Sequence, residues 1–187
     1  MKVIFFLNHP AHYHLFRNVI KKLKDKHEIQ VLMKKKDILE TLLSNDGITY
    51  TNILPKGRGD KKFLIALSLI KKDWALLRMA TKFQPDVMIG TSAEIAHVGK
   101  LTNTPSIVVN EDDSDVVPLF SRLAYPFARH IITPRCCKNG QWSQKAVYYD
   151  GYHELAYLGP GYFCPSADVQ RVLAPDGKMY FISVSQN

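Results

Sequence analysis

Three histidines within six residues, His9, His12 and His14, follow directly on an apolar run from Val3 to Leu7. An imidazole titrates near neutral pH, so one placed at a cleft can take a proton from a sugar hydroxyl. His-x-x-His-x-His at the turn into a helix sends its side chains in different directions, and the cysteines are distant, so no metal is assigned. Each histidine also has a structural alternative, either capping backbone groups or packing beneath the loop. Two further clusters sit where strands end. Gly90-Thr91-Ser92 offers small hydroxyl residues to a ligand, or simply caps the following helix. Glu111-Asp112-Asp113-Ser114-Asp115 could hold sugar hydroxyls or a cation, and equally suits a helix start, which the helix dipole favours.

These residues need a scaffold that brings strand ends together, and the chain alternates strand and helix throughout. Val3–Leu7, Glu28–Met33, Ile48–Leu54, Val87–Ile89, Ser106–Asn110, His130–Thr133 and Ala146–Tyr149 read as strands. Between them lie helices: one with Leu15, Phe16, Val19, Ile20 and Leu23 on one face, one capped by Asp37, a long one from Lys61 to Lys82, and others at Glu94–Leu101 and Leu119–Ala128. Pro10 suits the first turn of the first helix, where no amide donor is needed. Short connections in such an alternation predict an α/β, doubly wound parallel sheet that is Rossmann-like. Ligands then bind at the carboxyl ends of the strands, after Leu7, Ile89 and Asn110, all on one edge. A short helix after Pro165, a turn at Pro175-Asp176-Gly177 and a strand at Lys178–Val184 complete the pattern.

The 187 residues are 46% apolar, enough for one well-buried domain, and no apolar run is long enough to cross a membrane. Cys136, Cys137 and Cys164 form no disulfide framework, which fits a reducing, cytoplasmic setting. Gly-x-Gly-x-x-Gly is absent from the first loop, which disfavours ordinary NAD-dependent dehydrogenase chemistry. The net charge of +8 is uneven: residues 1–84 hold 17 Lys and Arg against 7 Asp and Glu, and the remainder hold 8 against 10. The first half is therefore expected to meet an anionic partner. Lys21, Lys22, Lys24 and Lys26 also read as one solvated helix face. The long helix sets Phe63, Leu67, Ile70, Trp74 and Leu77 among Lys61, Lys62, Lys71, Lys72 and Arg78, a composition that suits an anionic bilayer or a core helix with a solvated back. Leu64, Leu69, Met79 and Phe83 make it apolar on several sides, which favours core. Nucleic acid is not expected as a partner, because the basic residues lack an aromatic platform.

Three segments carry a family resemblance: Asn8-His9-Pro10-Ala11-His12-Tyr13-His14-Leu15-Phe16, Phe83-Gln84-Pro85-Asp86-Val87-Met88-Ile89-Gly90, and Tyr149-Asp150-Gly151-Tyr152-His153-Glu154-Leu155-Ala156-Tyr157-Leu158. Together they resemble the bacterial and archaeal domain-of-unknown-function family three-five-four, over the chain from Met1 to about Asn187. That family is similar to the GT-B glycosyltransferases and to the UDP-N-acetylglucosamine 2-epimerases. The resemblance implies two facing Rossmann-like domains. Residues 1–164 would be the N-terminal, acceptor-side domain, and residues 165–187 a linker and the first strand of a second. The implied reaction moves a sugar from a nucleotide sugar, as co-substrate, to a glycan or lipid-linked acceptor, with no further cofactor. Peripheral contact with an anionic membrane, at its inner face, is what the basic first half leads one to expect. His12 matches the loop histidine of lipid-linked N-acetylglucosaminyltransferases, which implies a catalytic base there. Asn8, His9, His14, Gly90, Thr91, Ser92, Glu111 and Asp112 would surround it as substrate-binding residues. The family's loop is rich in glycine where this chain has Asn8, Pro10 and Ala11. The resemblance places the nucleotide-sugar donor mainly on the second domain, so this chain alone is expected to lack transferase activity.

Two other readings stay open. An epimerase-like enzyme would eliminate and re-add the nucleotide, with Glu94, Glu111 or Asp115 carrying the chemistry. A non-catalytic binding domain would use the basic half alone.

Overall fold

The computed structural model describes residues 1–36, 38–54, 62–164 and 166–173. The strands are β1 (Lys2–Leu7), β2 (Glu28–Lys34), β3 (Tyr50–Leu54), β4 (Val87–Gly90), β5 (Ser106–Val109), β6 (His130–Pro134) and β7 (Ala146–Tyr149). They form one sheet in the order β3-β2-β1-β4-β5-β6-β7, every pair parallel. Between them run α1 (Pro10–Leu23), α2 (Leu39–Asn45), α3 (Lys62–Phe83), α4 (Ala93–Thr102) and α5 (Pro118–Ala124), followed by α6 (Leu155–Leu158) and α7 (Ala167–Leu173). The strand order reverses direction between β1 and β4, the switch point where ligands enter such sheets. The expected doubly wound fold is present.

The sequence of β1 is apolar without alternation because the strand is central and covered on both faces. Ile4 and Phe6 point into a core beneath α3, α4 and α5 with Leu76, Ala80, Met88, Ile95 and Val108. Val3, Phe5 and Leu7 point into a second core beneath α1 and α2 with Phe16, Ile20, Val31, Met33 and Leu43. Register places Phe6 beside Gly90 and Gly90 beside Val108, so the carboxyl ends of β1, β4 and β5 open on one edge. Gly90 is required there: a Cβ would meet the Phe6 carbonyl oxygen at 2.9 Å.

Two expectations are corrected, and two short elements add to them. The helix expected over Leu119–Ala128 ends at Ala124, because Pro126 supplies no amide donor to continue it. Lys145 Nζ instead satisfies the carbonyls of Tyr125, Pro126 and Ala128 at 2.9, 2.7 and 3.1 Å. Ile70 and Trp74 do not join the core; they are 62% and 65% exposed, because α3 turns Leu76 and Ala80 inward and stands beside the edge strand β3. A 3₁₀ turn over Gly140–Lys145 and the short α6 were not anticipated, since each is too brief to show a period. The cap at Asp37, the loop at 55–60, the turn at 175–177 and the strand at 178–184 fall outside the described residues.

Candidate active site

The first loop resolves the three histidines into three roles. His9 is the N-cap of α1, with extended backbone and with Nδ1 accepting the Ala11 amide at 3.2 Å. Pro10 follows at the first helical position, as expected. His14 packs between Tyr13 and Tyr157, at ring separations of 5.0 and 5.3 Å. His12 faces β4, with Thr91 Oγ1 2.9 Å from Nδ1 and 2.7 Å from Nε2. It is the one of the three that lines the cavity at the sheet edge.

His12 Nδ1 accepts the amide of Asn8 at 3.1 Å, so in the neutral ring the proton sits on Nε2. An oxygen almost equidistant from both nitrogens lies in line with neither, so Thr91 braces the ring without consuming the Nε2 donor. Burial, with His9, His153 and Lys36 adding positive charge nearby, pushes His12 down to about 4. His12 is therefore neutral at physiological pH, and its free group is a hydrogen-bond donor.

A second imidazole joins it. His153, in the turn between β7 and α6, has Glu111 Oε2 3.2 Å from its Nδ1. Burial lowers its pKa, and the Glu111 carboxylate opposes that shift. The ring is held neutral with its proton on Nδ1 toward the carboxylate, which leaves the Nε2 lone pair without a partner. His153 also stacks on Tyr149, at 6.4 Å and 9°. Asn18 Nδ2 donates to the Ala156 carbonyl at 2.7 Å, which ties the turn that carries His153 to α1.

The cavity holds about 370 Å³ and is walled by Leu15, Val109 and Phe120, with His12, Thr91, Asn110, Glu111, Asp112, His153 and Glu154 as its polar groups. Of the residues expected from sequence, His12, Thr91, Glu111 and Asp112 meet here. Asn8 donates its backbone amide to His12, and Gly90, packed against Phe6 of β1, does not line the cavity. Ser92 is buried at the N-cap of α4 with no side-chain capping bond, and it does not line the cavity. Neither do His9 and His14. Glu94 is only 3% exposed and pairs with Lys72 Nζ at 2.8 Å, which removes it from solvent chemistry. Asp115 is exposed and outside the cavity.

Sequence reasoning missed Asn110, His153 and Glu154 as site residues. The signal for His153 was a histidine just after a strand, the feature that singled out the first loop. Among the described residues, several buried polar atoms lack a hydrogen-bond partner in the protein, and of these only His153 Nε2 belongs to a residue that lines the cavity. An apolar cavity of about 380 Å³ adjoins the polar one and shares Leu15, Val109 and His153 with it.

No family model matches the chain, and none of the curated proteins matches its sequence. Solved structures do match. UDP-GlcNAc 2-epimerase from Neisseria meningitidis, bound to UDP-GlcNAc, aligns over 84% of this chain and 49% of its own, at 15% identity and a TM-score of 0.68. MurG from Acinetobacter baumannii aligns over 81% and 46%, at 14% identity and a TM-score of 0.59. The lipopolysaccharide outer core galactosyltransferase WaaB, in its apo form, aligns over 71% and 39%, at 15% identity and a TM-score of 0.54. This is the fold of the N-terminal half of the GT-B architecture. The chain spans half or less of the length of each of these GT-B structures.

Proposed function

We propose that the cavity is the acceptor-side half of a GT-B sugar site, in which an acceptor hydroxyl attacks a nucleotide sugar without a metal. The observation that carries it is the convergence of His12, Thr91, Glu111 and His153 on one cavity at the carboxyl ends of β1, β4 and β5. A cavity of this size with apolar walls and a few directed polar groups suits a sugar ring. His12, expected from sequence as the base, keeps a central place. Its hydrogen bonding makes it the donor that orients the acceptor, and the His153–Glu111 pair, with the Glu111 carboxylate exposed, is placed to take the hydroxyl proton. Asp112 and Asn110 would bind further hydroxyls. The adjoining apolar cavity supports a lipid-linked acceptor over a free glycan.

The structural matches support a nucleotide sugar as co-substrate, since one of them is bound to UDP-GlcNAc. The three motifs support membership of the domain-of-unknown-function family three-five-four. The division into a domain at 1–164 and a linker with a second-domain strand at 165–187 belongs to the same proposal, as does a cytoplasmic setting at the inner face of the membrane.

An epimerase-like reading is favoured by one observation: Glu111, alone of Glu94, Glu111 and Asp115, lines the cavity. Calorimetric titrations with N-acetylglucosamine and with UDP, run separately, distinguish the two. The acceptor-side reading predicts saturable sugar binding that Thr91→Val and His153→Ala weaken by about ten-fold, the loss of one or two hydrogen bonds. Binding of UDP at this cavity with no sugar binding would contradict it.

A further inference from the structure

A cavity of about 620 Å³ opens at the other end of the strands, where β5 and β6 begin, and its charged side chains are Lys100, Arg129 and Lys145, with His130 beside them. Residues 85–187 hold 8 Lys and Arg against 10 Asp and Glu, so three cations in one wall, with no carboxylate among the described residues there, run against the composition of this half. Gly99 permits the gathering. A Cβ there would meet the Thr104 carbonyl oxygen at 2.8 Å and the Ser106 side chain at 2.9 Å, so α4 presses on the start of β5 and carries Lys100 to the cavity. Lys145 Nζ donates to three backbone carbonyls, which are neutral, and its charge stays uncompensated. Burial lowers its pKa, and the charge of Lys100 lowers it further. Lys100 and Arg129 are exposed and pair with no carboxylate among the described residues. Lys100 is not needed to close α4 either, because the Gly99 carbonyl already takes the amides of Asn103 and Thr104. In the same wall Ser106, 1% exposed, keeps an Oγ without a hydrogen-bond partner in the protein, a rare state for a buried hydroxyl.

We propose that this cavity binds a small organic phosphate by its phosphate groups, at a site separate from the sugar site. Lys100 and Arg129 supply charge-assisted hydrogen bonds, Arg129 through its planar fork, and Lys145 adds a fixed charge behind them. An anion placed among three cations replaces their mutual repulsion with attraction. The volume exceeds what one phosphate fills, and Phe127, Pro105 and Pro126 give the rim exposed apolar surface, so the ligand carries an organic group as well. A nucleic acid strand fits less well, because Phe127 is the only Phe, Tyr or Trp that lines the cavity and successive bases need successive platforms. This cavity shares no residue with the one that His12 lines, so the inference stands independently of the sugar reading.

The test is calorimetric titration of the chain with ADP, pyrophosphate and orthophosphate at low ionic strength, with imidazole NMR on the same samples. ADP and pyrophosphate are expected to saturate one site, and orthophosphate to bind about ten-fold more weakly for want of a second phosphate. The His130 signals should shift on saturation while those of His12 and His153 stay fixed. Lys100→Gln and Arg129→Gln should each weaken binding by about ten-fold, the loss of a charge-assisted hydrogen bond. The double variant Lys24→Gln, Lys26→Gln removes the same charge from exposed positions just after α1 and should leave binding unchanged. All four side chains are exposed, and an unchanged thermal midpoint confirms that the variants fold. Absence of saturation, or equal weakening by the Lys100, Arg129 pair and the Lys24, Lys26 pair, overturns the proposal. So do shifts at His12 or His153 in place of His130, or orthophosphate that binds as tightly as ADP.

Discussion

His12 and His97 show how the same side chain takes opposite charge states from its neighbours. His12 is held at about 4, below its ordinary 6.5, by burial and nearby positive groups, so the unfolded chain binds its proton first as pH falls. The stability it contributes is complete above about pH 6.5 and falls by about 3 kcal/mol as pH drops to 4. His97 has Nδ1 3.0 Å from Asp73 and Nε2 2.8 Å from the Leu123 carbonyl, two acceptors that call for two ring protons. The hydrogen bond to Asp73 raises its pKa. Its stabilising contribution is present below pH 6.5 and is lost as pH rises through the folded value. Thermal midpoints across pH should therefore show His12→Ala relieving part of the acid loss, while the destabilisation by Asp73→Asn shrinks as pH rises. A pH-independent Asp73→Asn effect would contradict the charged state of His97. At the cavity, Glu111→Gln should move the His153 titration to lower pH, followed by imidazole carbon NMR, because the carboxylate is what opposes the effect of burial.

At the scale of elements, α3, α4 and α5 are locked together by polar contacts as well as by the core. Lys72 on α3 is the partner of a carboxylate that is 3% exposed on α4, and His97 on α4 bridges Asp73 on α3 and Leu123 on α5. Lys72→Met strands Glu94 without a partner and should cost about 3–5 kcal/mol in denaturant unfolding, whereas adding Glu94→Gln should recover most of that loss. Gly90→Ala drives a methyl against the Phe6 backbone oxygen and should cost about 1–3 kcal/mol by separating β1 from β4. Strand and helix order was readable because β1, β4 and β5 are apolar runs closed by turn residues, and α1 repeats apolar residues at helical spacing; of the face expected there Phe16 and Ile20 are buried, whereas Val19 is exposed and Tyr13 is buried in its place. The inward face of α3 was not readable. Its apolar residues surround the helix, and only the position of β3 at the sheet edge decides that Leu76 is covered and Trp74 is not.

For the whole molecule, the parallel sheet explains why residues separated by 79 positions, His12 and Thr91, meet at 2.7 Å. His12, Thr91 and Glu111 were legible because each lies within five residues of the end of a strand at the switch edge. His153 was not, because the turn after β7 reaches the cavity only by folding back over α1, through Asn18 and Ala156. The distribution of charge belongs to this scale as well: the basic first half presents the exposed cations of α3, while Glu111, Asp112 and Glu154 of the second half line the cavity. The polar cavity and the basic face are thus separate surfaces of one scaffold. The most direct test of the sugar site is imidazole NMR of the chain during titration with N-acetylglucosamine, with each histidine assigned by substitution. His12 and His153 should shift together and saturate, while His97 and His130 stay fixed. Shifts absent from both His12 and His153, or a response confined to histidines outside the cavity, would contradict the placement of the sugar site.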